Sequence, residues 1–373
     1  MTLQPAPRDH RQAVRVGMLG YGFMGKAHSN ALKTAPYMFW PDTAQVELRT
    51  ISGRTEASVR EAATRYGWSH FTTDWRDIVD DPEIDVFNNV GPDAVHYEPT
   101  LAAINAGKHV VCEKPLSPDL TEAVELERAA TEAGVKHMTC FNYRFVPAVR
   151  LAHDMIAAGE LGEIFSANFR YAQEWRTDPT ADLPTWTGAL SVIGCHAVDQ
   201  ARYLVGEIDQ VSAVITNPVT SAERAEPVDT VTALAEFDTG AAGTIAATLI
   251  APGRKNMLGW EINGSKGSLT WDLEQLNLLR VHRRGTKLEG FSDVIVCEAD
   301  HPLVAPWWPS GHILGWEHGH INMWAHFLQA VVSDGKVGPE AATFTDGAKA
   351  ARVAEAITRS ASSGERTSIA GIG

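Results

Sequence analysis

Three closely spaced glycines near the start of the chain constrain its fold more than any other feature. A short apolar run at 14–19 leads directly into the pattern G-x-G-x-x-G, and residues 27–32 continue with helical spacing. In such a turn Gly20 permits the reversal from strand to helix, and Gly22 lets the backbone approach a pyrophosphate. Gly25 lets the helix pack closely on the strand, so that the first N–H groups of the helix face the phosphates. The segment therefore predicts a strand–turn–helix unit that binds a dinucleotide.

Strands and helices alternate along the chain up to about residue 145. After the first unit, apolar runs predict strands at 46–52, 84–90, 109–112 and 135–139, and helical patterns lie between them at 56–66, 74–79, 99–106 and 121–133. Strands that alternate with helices at this spacing form a parallel sheet with right-handed crossovers. We therefore predict an α/β architecture, with a doubly wound parallel sheet of the Rossmann type in a domain at 1–146.

The pattern changes after a predicted linking helix at 147–158. Apolar and polar residues now alternate with period two, and short turns containing glycine join two pairs of these segments as hairpins. The predicted strands are 164–171, 211–216, 231–237, 242–249, 259–262 and 268–271, and the predicted helices are 193–205, 319–332 and 345–360. We therefore predict a second, α+β domain at 147–373, with a large, mostly antiparallel open sheet. The broad face of that sheet must be covered, so we expect a homo-oligomer, a dimer or a tetramer.

Composition disfavours several classes of function. A net charge of −14 argues against a nucleic-acid partner, because proteins that bind nucleic acids need a basic face. The four cysteines include no C-x-x-C pair, so neither a disulfide framework nor a metal site is predicted. No apolar run approaches the ~20 residues that cross a bilayer, and residues 1–12 lack the apolar core of a signal peptide. We expect a cytoplasmic protein without a membrane partner.

A set of landmarks in the middle of the chain is more specific than the glycine turn. The landmarks are Gly91-Pro92-Asp93 with His96, Glu113-Lys114-Pro115 after a buried strand, Asn142-Tyr143-Arg144, and Gly194-x-His196-x-x-Asp199. Together with the N-terminal turn they resemble the Gfo/Idh/MocA family of nicotinamide-dependent oxidoreductases, and the resemblance covers most of the chain. Within that family, Lys26-Ala27-His28, the segment 37–41 and the tryptophan-rich segment 307–316 look like its sugar-oxidising members.

The resemblance implies that Lys114 and His196 are catalytic and reach one sugar hydroxyl beside the nicotinamide. Lys114 follows a buried parallel strand, where open α/β sheets place ligands, and an ammonium there can stabilise an alkoxide. Partial burial beside a nicotinamide cation is expected to lower the pKa of this lysine. Imidazole titrates near neutrality, so His196 suits the role of general base. Asp199 shares a helical face with His196 and is expected to orient its ring or to bind a sugar hydroxyl.

One position departs from the family pattern. The resemblance implies an aspartate four residues before His196, but this chain has Val192 there. Valine can neither accept a proton nor form a hydrogen bond through its side chain, so the expected relay is incomplete. Three interpretations stay open: Lys114 and His196 suffice, another carboxylate such as Asp199 or Asp182 substitutes, or the reaction differs from simple dehydrogenation.

The cofactor is predicted to be NAD or NADP. In NAD-specific sites an acidic residue ends the second strand, but here Ser52-Gly53-Arg54 follows, and Ser52 and Arg54 could bind a 2′-phosphate. The family favours NAD, so the choice stays open. The resemblance also implies that Glu113 contacts the nicotinamide ribose or orients Lys114. The candidate cofactor-binding residues are Gly20, Gly22, Phe23, Met24, Gly25, Ser52, Arg54, Asn89, Gly91, Pro92, His96, Glu113, Lys114, Asn142 and Arg144.

The second domain is rich in aromatic residues interleaved with polar ones, and the chain holds eleven tryptophans, Trp186 among them. Indole faces stack on sugar rings, while Arg, His and Gln bind hydroxyls. Any single tryptophan is as easily explained by a core or an interface. The candidate substrate-binding residues are Lys114, Tyr171, Trp175, Arg176, His196, Asp199 and His320.

These observations predict an enzyme that transfers a hydride between a secondary hydroxyl of a sugar and a nicotinamide. The sugar would be a pyranose, an anhydrosugar, a glycoside or an inositol. One alternative is an enzyme that uses bound NAD transiently to cleave or eliminate a glycoside through a keto-sugar. Another is a catalytically silent regulator that binds a dinucleotide.

Overall fold

The computed structural model describes residues 11, 13–178, 188–219, 228–285, 287 and 289–372. Asp182 and Trp186, which the sequence offered as a substitute carboxylate and as a substrate-binding aromatic, lie outside these residues. Among the residues that the structure describes, no helix combines the length and the apolar character needed to cross a membrane.

The N-terminal part of the chain forms a six-stranded parallel sheet with helices between its strands, as the sequence predicted. Its strands are β1 (Ala13–Leu19), β2 (Gln45–Ser52), β3 (His70–Thr72), β4 (Val86–Asn89), β5 (His109–Cys112) and β6 (His137–Thr139), and its helices are α1 (Phe23–Met38), α2 (Glu56–Tyr66), α3 (Arg76–Asp80), α4 (Tyr97–Asn105) and α5 (Leu120–Ala133). The strand order is β3-β2-β1-β4-β5-β6. The order reverses between β1 and β4, and ligands bind at such a switch point, outside the carboxyl ends of the strands.

The second sheet has nine strands and is antiparallel at every pairing except β7 with β10. Helix α6 (Pro147–Ala157) leads into β7 (Ile164–Ala172), and then come a π-helical turn (Leu190–Gly194) and α7 (Cys195–Leu204). The further strands are β8 (Ile208–Thr216), β9 (Thr230–Phe237), β10 (Ala242–Thr248), β11 (Met257–Gly264), β12 (Gly267–Asp272), β13 (Leu278–Arg283) and β14 (Ser292–Ile295); helices α8 (Trp316–Val332) and α9 (Phe344–Ser363) and strand β15 (Thr367–Ser368) follow. The order is β14-β13-β12-β11-β7-β10-β9-β8-β15, which confirms the mostly antiparallel sheet.

The two C-terminal helices return to the first part of the chain. Helix α8 packs against α1, and Trp324 and Phe327 of α8 join the apolar core that covers one face of the parallel sheet. Helix α9 lies between α5 and β8 and contacts both. A domain boundary at 146/147 stays a prediction, and the structure adds that the segment after residue 306 contributes to the cores of both sheets.

A buried ion cluster joins the end of the first domain to helices α7 and α9. Arg144, on a 3-10 turn after β6, donates from Nε to Asp199 Oδ2 at 3.0 Å and from Nη2 to Asp199 Oδ1 at 2.6 Å. Nη2 also donates to Asp346 Oδ1 of α9 at 3.1 Å. The Arg144 and Asp199 side chains are only 3% and 2% exposed. The pair therefore fixes α7, which carries Asp199, against the end of the first domain.

We expect Asp199→Ala to lower the free energy of unfolding by about 3–5 kcal/mol, because Arg144 would lose its buried carboxylate partner and keep only the partly exposed Asp346. Urea unfolding followed by fluorescence measures the change. Arg128→Ala, which breaks the exposed pair with Glu132 on α5, is the control and should give no measurable change. Equal effects of the two substitutions would contradict a stabilising role for the buried cluster.

Candidate functional site

The glycine turn has the shape that a bound dinucleotide requires. Gly20 has φ +109°, and a Cβ atom there would lie 2.7 Å from the carbonyl oxygen of Val90. A Cβ on Gly25 would lie 2.6 Å from the carbonyl oxygen of Gly20, so the helix could not pack this closely. At Gly22, by contrast, a Cβ would meet nothing within 4 Å. The turn therefore leaves open space in front of the first N–H groups of α1, where a pyrophosphate fits.

The next two residues flank this space. Phe23 is 70% exposed at the start of α1, and Met24 is half-buried against the core over the sheet. The first turn of α1 carries no acidic residue, so nothing in it repels an anion. These placements fit the predicted cofactor-binding role of both residues, which stays a prediction.

The loop after β4 is braced by two side chains that the sequence assigned to the cofactor. Asn89 is fully buried, and its Nδ2 donates to the Val95 carbonyl at 2.8 Å, while its Oδ1 accepts from the Gly91 N–H at 3.1 Å. His96 Nδ1 lies 2.7 Å from the Pro115 carbonyl oxygen, and Nε2 lies 3.0 Å from the Gly91 carbonyl oxygen. Both side chains are occupied in shaping the loop, and their predicted contact with the cofactor stays a prediction.

His96 links two loops at the carboxyl edge of the sheet as a charged group. Two carbonyl acceptors require two N–H donors, so the ring is protonated. Burial would lower the pKa of His96, but Cys112 and the Pro115 carbonyl raise it to about 9. The half-buried Gly91 and the exposed Pro92 complete the loop surface and remain available to a ligand.

The end of β2 carries no acidic side chain. Ser52 is buried, and Arg54 is exposed. Within the described part of the chain, Arg54 makes no hydrogen bond or ion pair. This arrangement is compatible with either nicotinamide dinucleotide.

Lys114 and His196 lie on facing elements and are brought together around Tyr143. Lys114 Nζ donates to the carbonyl oxygen of Val192 at 2.8 Å, one helical turn before His196. The His196 ring packs against Tyr143, with the ring centroids 4.7 Å apart, and against Phe141 and Tyr171 at 5.8 and 6.0 Å. The backbone carbonyl of position 192 thus accepts the hydrogen bond of the ammonium that a carboxylate side chain at this position would otherwise accept.

The two groups carry complementary protonation states. Burial and the positive charge of Lys114 lower the pKa of His196 well below its ordinary value, so the ring is neutral at physiological pH. Burial would lower the pKa of Lys114, but its acidic neighbours, the carboxylates of Glu113 and Asp93 among them, raise it above its ordinary value. The predicted lowering of the lysine pKa is therefore not what the protein's own groups produce. A charged acid and a neutral base face the same space.

Glu113 anchors a buried hydrogen-bond network behind Lys114. Its Oε2 accepts from the backbone N–H of Lys114 at 3.1 Å, and its Oε1 lies 3.1 Å from His28 Nε2. Trp324 Nε1 donates to His28 Nδ1 at 3.2 Å, so Nε2 carries the ring proton and donates to the carboxylate. Burial would raise the pKa of Glu113, but the His28 hydrogen bond and the charge of Lys114 hold it at about 2. Glu113 therefore orients the backbone of the lysine rather than its ammonium.

The same network argues against a metal centre at this place. His28, Glu113 and Cys140 place potential ligand atoms within 4.8 Å of one another. However, the Nδ1 lone pair of His28 accepts from Trp324, and the Nε2 proton is donated to Glu113. Both ring nitrogens are thus used, and the cluster is explained by its hydrogen bonds. A protein without a metal stays a prediction.

Two buried polar side chains near the end of the first domain lack partners within the described residues. Both ring nitrogens of His320 and the Nδ2 of Asn142 are buried and make no hydrogen bond. Burial and the nearby His28 lower the pKa of His320 to about 3, so its ring is neutral. Unpaired buried polar atoms are costly, and ligand groups are a common way to satisfy them. These atoms fit the predicted roles of His320 toward the substrate and Asn142 toward the cofactor.

Aromatic side chains connect the glycine turn with the second domain. Phe23 stacks on Trp316 with ring centroids 5.3 Å apart, and Trp316 meets His320 edge-on at 4.5 Å. Trp316 Nε1 donates to the Tyr143 hydroxyl at 3.4 Å, which lies 3.1 Å from the Tyr171 hydroxyl. This aromatic wall (Phe23, Trp316, Tyr143 and Tyr171) borders the space in front of Lys114 and His196.

Hydrogen bonds fix the far end of the wall. Tyr171 donates to Asn256 Oδ1 at 2.7 Å, and Gln173 Nε2 donates to the same oxygen at 2.6 Å. Trp175 Nε1 donates to Gln173 Oε1 at 2.5 Å. Tyr171 and Trp175 are therefore held in place, and Trp175 keeps a half-buried ring face for a sugar.

Three predicted ligand-binding residues are occupied elsewhere. Arg144 and Asp199 form the buried cluster described above, in which both carboxylate oxygens of Asp199 accept from Arg144, so their roles toward the sugar and the cofactor stay predictions. Arg176 is buried, with its Nε 3.7 Å from Asp229 Oδ1. The ion-pair partners lie far apart along the sequence, so these pairings could not be recognised there.

Several site residues were missed although they stand inside quoted motifs. Tyr143 lies between the two selected residues of Asn142-Tyr143-Arg144, and His28 ends Lys26-Ala27-His28. Both side chains are packed into the site, Tyr143 against His196 and His28 against Glu113. For Tyr143, the available signal was an aromatic residue between two polar residues of a motif.

Comparison with known proteins agrees with this geometry. Residues 14–141 match an oxidoreductase family with an NAD-binding Rossmann fold, and residues 149–270 match the GFO/IDH/MocA C-terminal domain. The fold and the site therefore define an oxidoreductase with an N-terminal NAD-binding domain. The two matches together show that the chain belongs to the Gfo/Idh/MocA family, which confirms the resemblance seen in the landmarks.

Named relatives extend over nearly the whole chain. Levoglucosan dehydrogenase of Pseudarthrobacter phenanthrenivorans is 36% identical over 381 residues, covering 94% of this chain and 96% of the relative. A structure of levoglucosan dehydrogenase in complex with NADH and levoglucosan has a TM-score of 0.93 at 35% identity, covering 96% of this chain and 100% of the other. A scyllo-inositol 2-dehydrogenase (NADP(+)) of Bacillus subtilis is 32% identical over 58% of each chain.

We expect Gly22→Ala to raise the dissociation constant for NADH by about tenfold, because the methyl group would enter the space left for the phosphates. Fluorescence titration measures binding. Gly371→Ala is the matched control, since its Cβ also meets nothing within 4 Å. Both variants should melt at the wild-type temperature, and unchanged NADH affinity in Gly22→Ala would place the pyrophosphate elsewhere.

Proposed function

We propose that this protein is an NAD(P)-dependent dehydrogenase of sugars or polyols, with Lys114 and His196 acting on one secondary hydroxyl. The observation that carries the proposal is their pairing: a half-buried ammonium lies close enough to a buried neutral imidazole for its charge to lower the pKa of that imidazole, beside the dinucleotide-binding turn. An acid–base pair of this kind is what reversible oxidation of an alcohol needs. The relatives named for the oxidation of levoglucosan and an inositol support this substrate class.

The nicotinamide, when bound, accepts or returns the hydride at its ring. The residues of this chain manage the proton and the charge on oxygen. A ring nitrogen of His196 takes the hydroxyl proton, and its depressed pKa leaves that nitrogen unprotonated and ready. Lys114 Nζ keeps its proton and donates a hydrogen bond to the substrate oxygen as negative charge develops there. The Val192 carbonyl holds the ammonium in place before substrate binds.

The aromatic wall suits a sugar ring. The indole face of Trp316 and the exposed ring of Phe23 offer apolar surface to ring C–H groups. The orphaned nitrogens of His320 can satisfy hydroxyl groups on the same ring. An uncharged polyol fits this lining, because Lys114 is already balanced by the acidic groups around it.

A homo-oligomer and a cytoplasmic location belong to the same proposal. Phe165, Val214 and Leu234 are large apolar side chains exposed on strands of the nine-stranded sheet. Large apolar side chains exposed on a sheet are typical of an interface between copies. The dimeric or tetrameric state stays a prediction for light scattering to decide.

The proposal is tested by following reduced nicotinamide absorbance with pyranoses, anhydrosugars, inositols and glycosides, using NAD and NADP separately. We expect turnover with at least one polyol. Lys114→Ala and His196→Ala should each lower kcat by about 10²- to 10⁴-fold while NADH still binds. His70→Ala, at an exposed position on β3, is the control for histidine removal and should behave as the wild type.

The other outcomes contradict the proposal. Release of an aglycone without net NADH formation would favour the glycoside-cleaving alternative. Dinucleotide binding without turnover of any sugar would favour a regulator. Full activity of His196→Ala would remove that residue from the mechanism.

The pH profile provides an independent prediction. Because burial lowers the pKa of His196, its base form persists as the pH falls through 6.5, the ordinary value for histidine. We therefore expect kcat/KM for sugar oxidation to show no acidic limb near that value, in a series from about pH 5 to about pH 9. An acidic limb with its midpoint at the ordinary histidine value would contradict the depressed pKa of His196.

A further inference from the structure

The ammonium of Lys114 is held by a neutral group. Its Nζ donates to the backbone carbonyl oxygen of Val192 at 2.8 Å, and the valine side chain adds no charge. A carbonyl fixes the position of an ammonium but does not balance its charge, and burial of that charge is costly without an opposite one. The site therefore needs a negative group close to this lysine.

A carboxylate approaches the same place from the opposite wall. Asp93 begins the short 3-10 turn Asp93–Val95 on the loop after β4, in the first domain. Its Oδ2 lies 3.5 Å from the hydroxyl of Ser191, which belongs to the π-helical turn of the second domain. Ser191 immediately precedes Val192, so Asp93 reaches the turn whose carbonyl holds Lys114.

We propose that Asp93 is a positioning residue for Lys114, supplying from the first domain negative charge that the side chain at position 192 does not provide. The inference rests on the proposed function, because it assigns Asp93 a part in the same reaction. Asp93 acts through the lysine: its charge keeps Nζ protonated and directed at the substrate oxygen.

Glu113 also supplies negative charge to Lys114, but from behind the strand end and not from the side of the π-helical turn that Asp93 reaches. Glu113 uses one oxygen for His28 and the other for the lysine backbone N–H. Burial raises the pKa of Cys195 to about 12, so its thiol is uncharged at physiological pH. The neutral His196 contributes no negative charge. The Asp93 carboxylate is among the groups that raise the pKa of Lys114.

The loop geometry makes the placement of Asp93 dependable. Asn89 and His96 brace this loop through bonds to its own backbone, and His96 also ties it to Pro115, the residue after Lys114. The loop that presents the carboxylate and the strand end that presents the ammonium are thus one braced unit. The π-helical turn closes onto this unit from the second domain through two contacts, Asp93 with Ser191 and Lys114 with Val192.

A double-mutant cycle tests the proposal on the full-length protein with its sugar and nicotinamide. Asp93→Asn keeps an amide that can still contact Ser191 but removes the charge. We expect kcat to fall about 10- to 100-fold, while the NADH affinity measured by fluorescence stays unchanged. The midpoint of the alkaline limb of the pH profile should move to lower pH. Val192→Asp in the Asp93→Asn background places a carboxylate on the π-helical turn of the second domain. This second change should restore most of kcat and return the alkaline limb to higher pH.

The controls separate charge from structure. Ser191→Ala removes the contact without removing the charge and should leave the alkaline limb where the wild type has it. Glu98→Gln removes one exposed carboxylate five residues further on, paired with Arg76, and should match the wild type. Melting temperatures of all variants identify any that fail to fold. If Asp93→Asn is among the destabilised variants, the kcat of the double variant with Val192→Asp shows whether the lost charge caused the loss of activity.

The results that overturn the inference are distinct from those that overturn the proposed function. Wild-type activity in Asp93→Asn, a loss confined to NADH affinity, or no rescue by Val192→Asp would each refute the role of Asp93 alone. Absence of turnover in the wild type with every sugar would refute the proposed function instead.

Discussion

The buried pair of Arg144 and Asp199 is the interaction on which the site depends. It crosses from the end of the first domain to α7 of the second, and Asp346 of α9 adds a second carboxylate to the same guanidinium. His196 stands on the same helix as Asp199, three residues earlier, so fixing that helix fixes the imidazole. Three elements from distant parts of the chain therefore meet at one charged cluster, and the facing of Lys114 and His196 is a consequence.

The charges in the site are separated by depth and by bonding. Glu113, deep behind the strand end, is ionised and fully used by His28 and the lysine backbone. Lys114 is charged and lies nearer the open space, while His196 and His320 stay neutral because burial disfavours their charged forms. A cation beside neutral bases gives the site a place where negative charge on a substrate oxygen is favoured.

Sequence reasoning recovered the parallel sheet, the mostly antiparallel sheet and the residues at the carboxyl edge, because glycine positions and hydrophobic periods are local signals. It did not find β3, β13, β14 or β15, which are short or lie at or near a sheet edge, where packing and not periodicity decides the conformation. The buried pairing of Arg144 with Asp199 was not predicted, for a related reason. The two residues are 55 positions apart along the chain. A charged residue in a motif does not show whether it faces a ligand or an ion-pair partner.

The valine at position 192 changes how the relay is built rather than removing it. A carboxylate side chain there would hold the ammonium and balance its charge with one group. In this chain the two tasks fall to different groups: the backbone carbonyl of position 192 fixes the ammonium, and acidic side chains from the strand end and the β4 loop balance its charge. Because the carbonyl belongs to the second domain and those carboxylates belong to the first, the lysine is fully supported only when the domains are packed as the Arg144–Asp199 pair holds them. The chemistry of the site is thereby coupled to the packing of the domains.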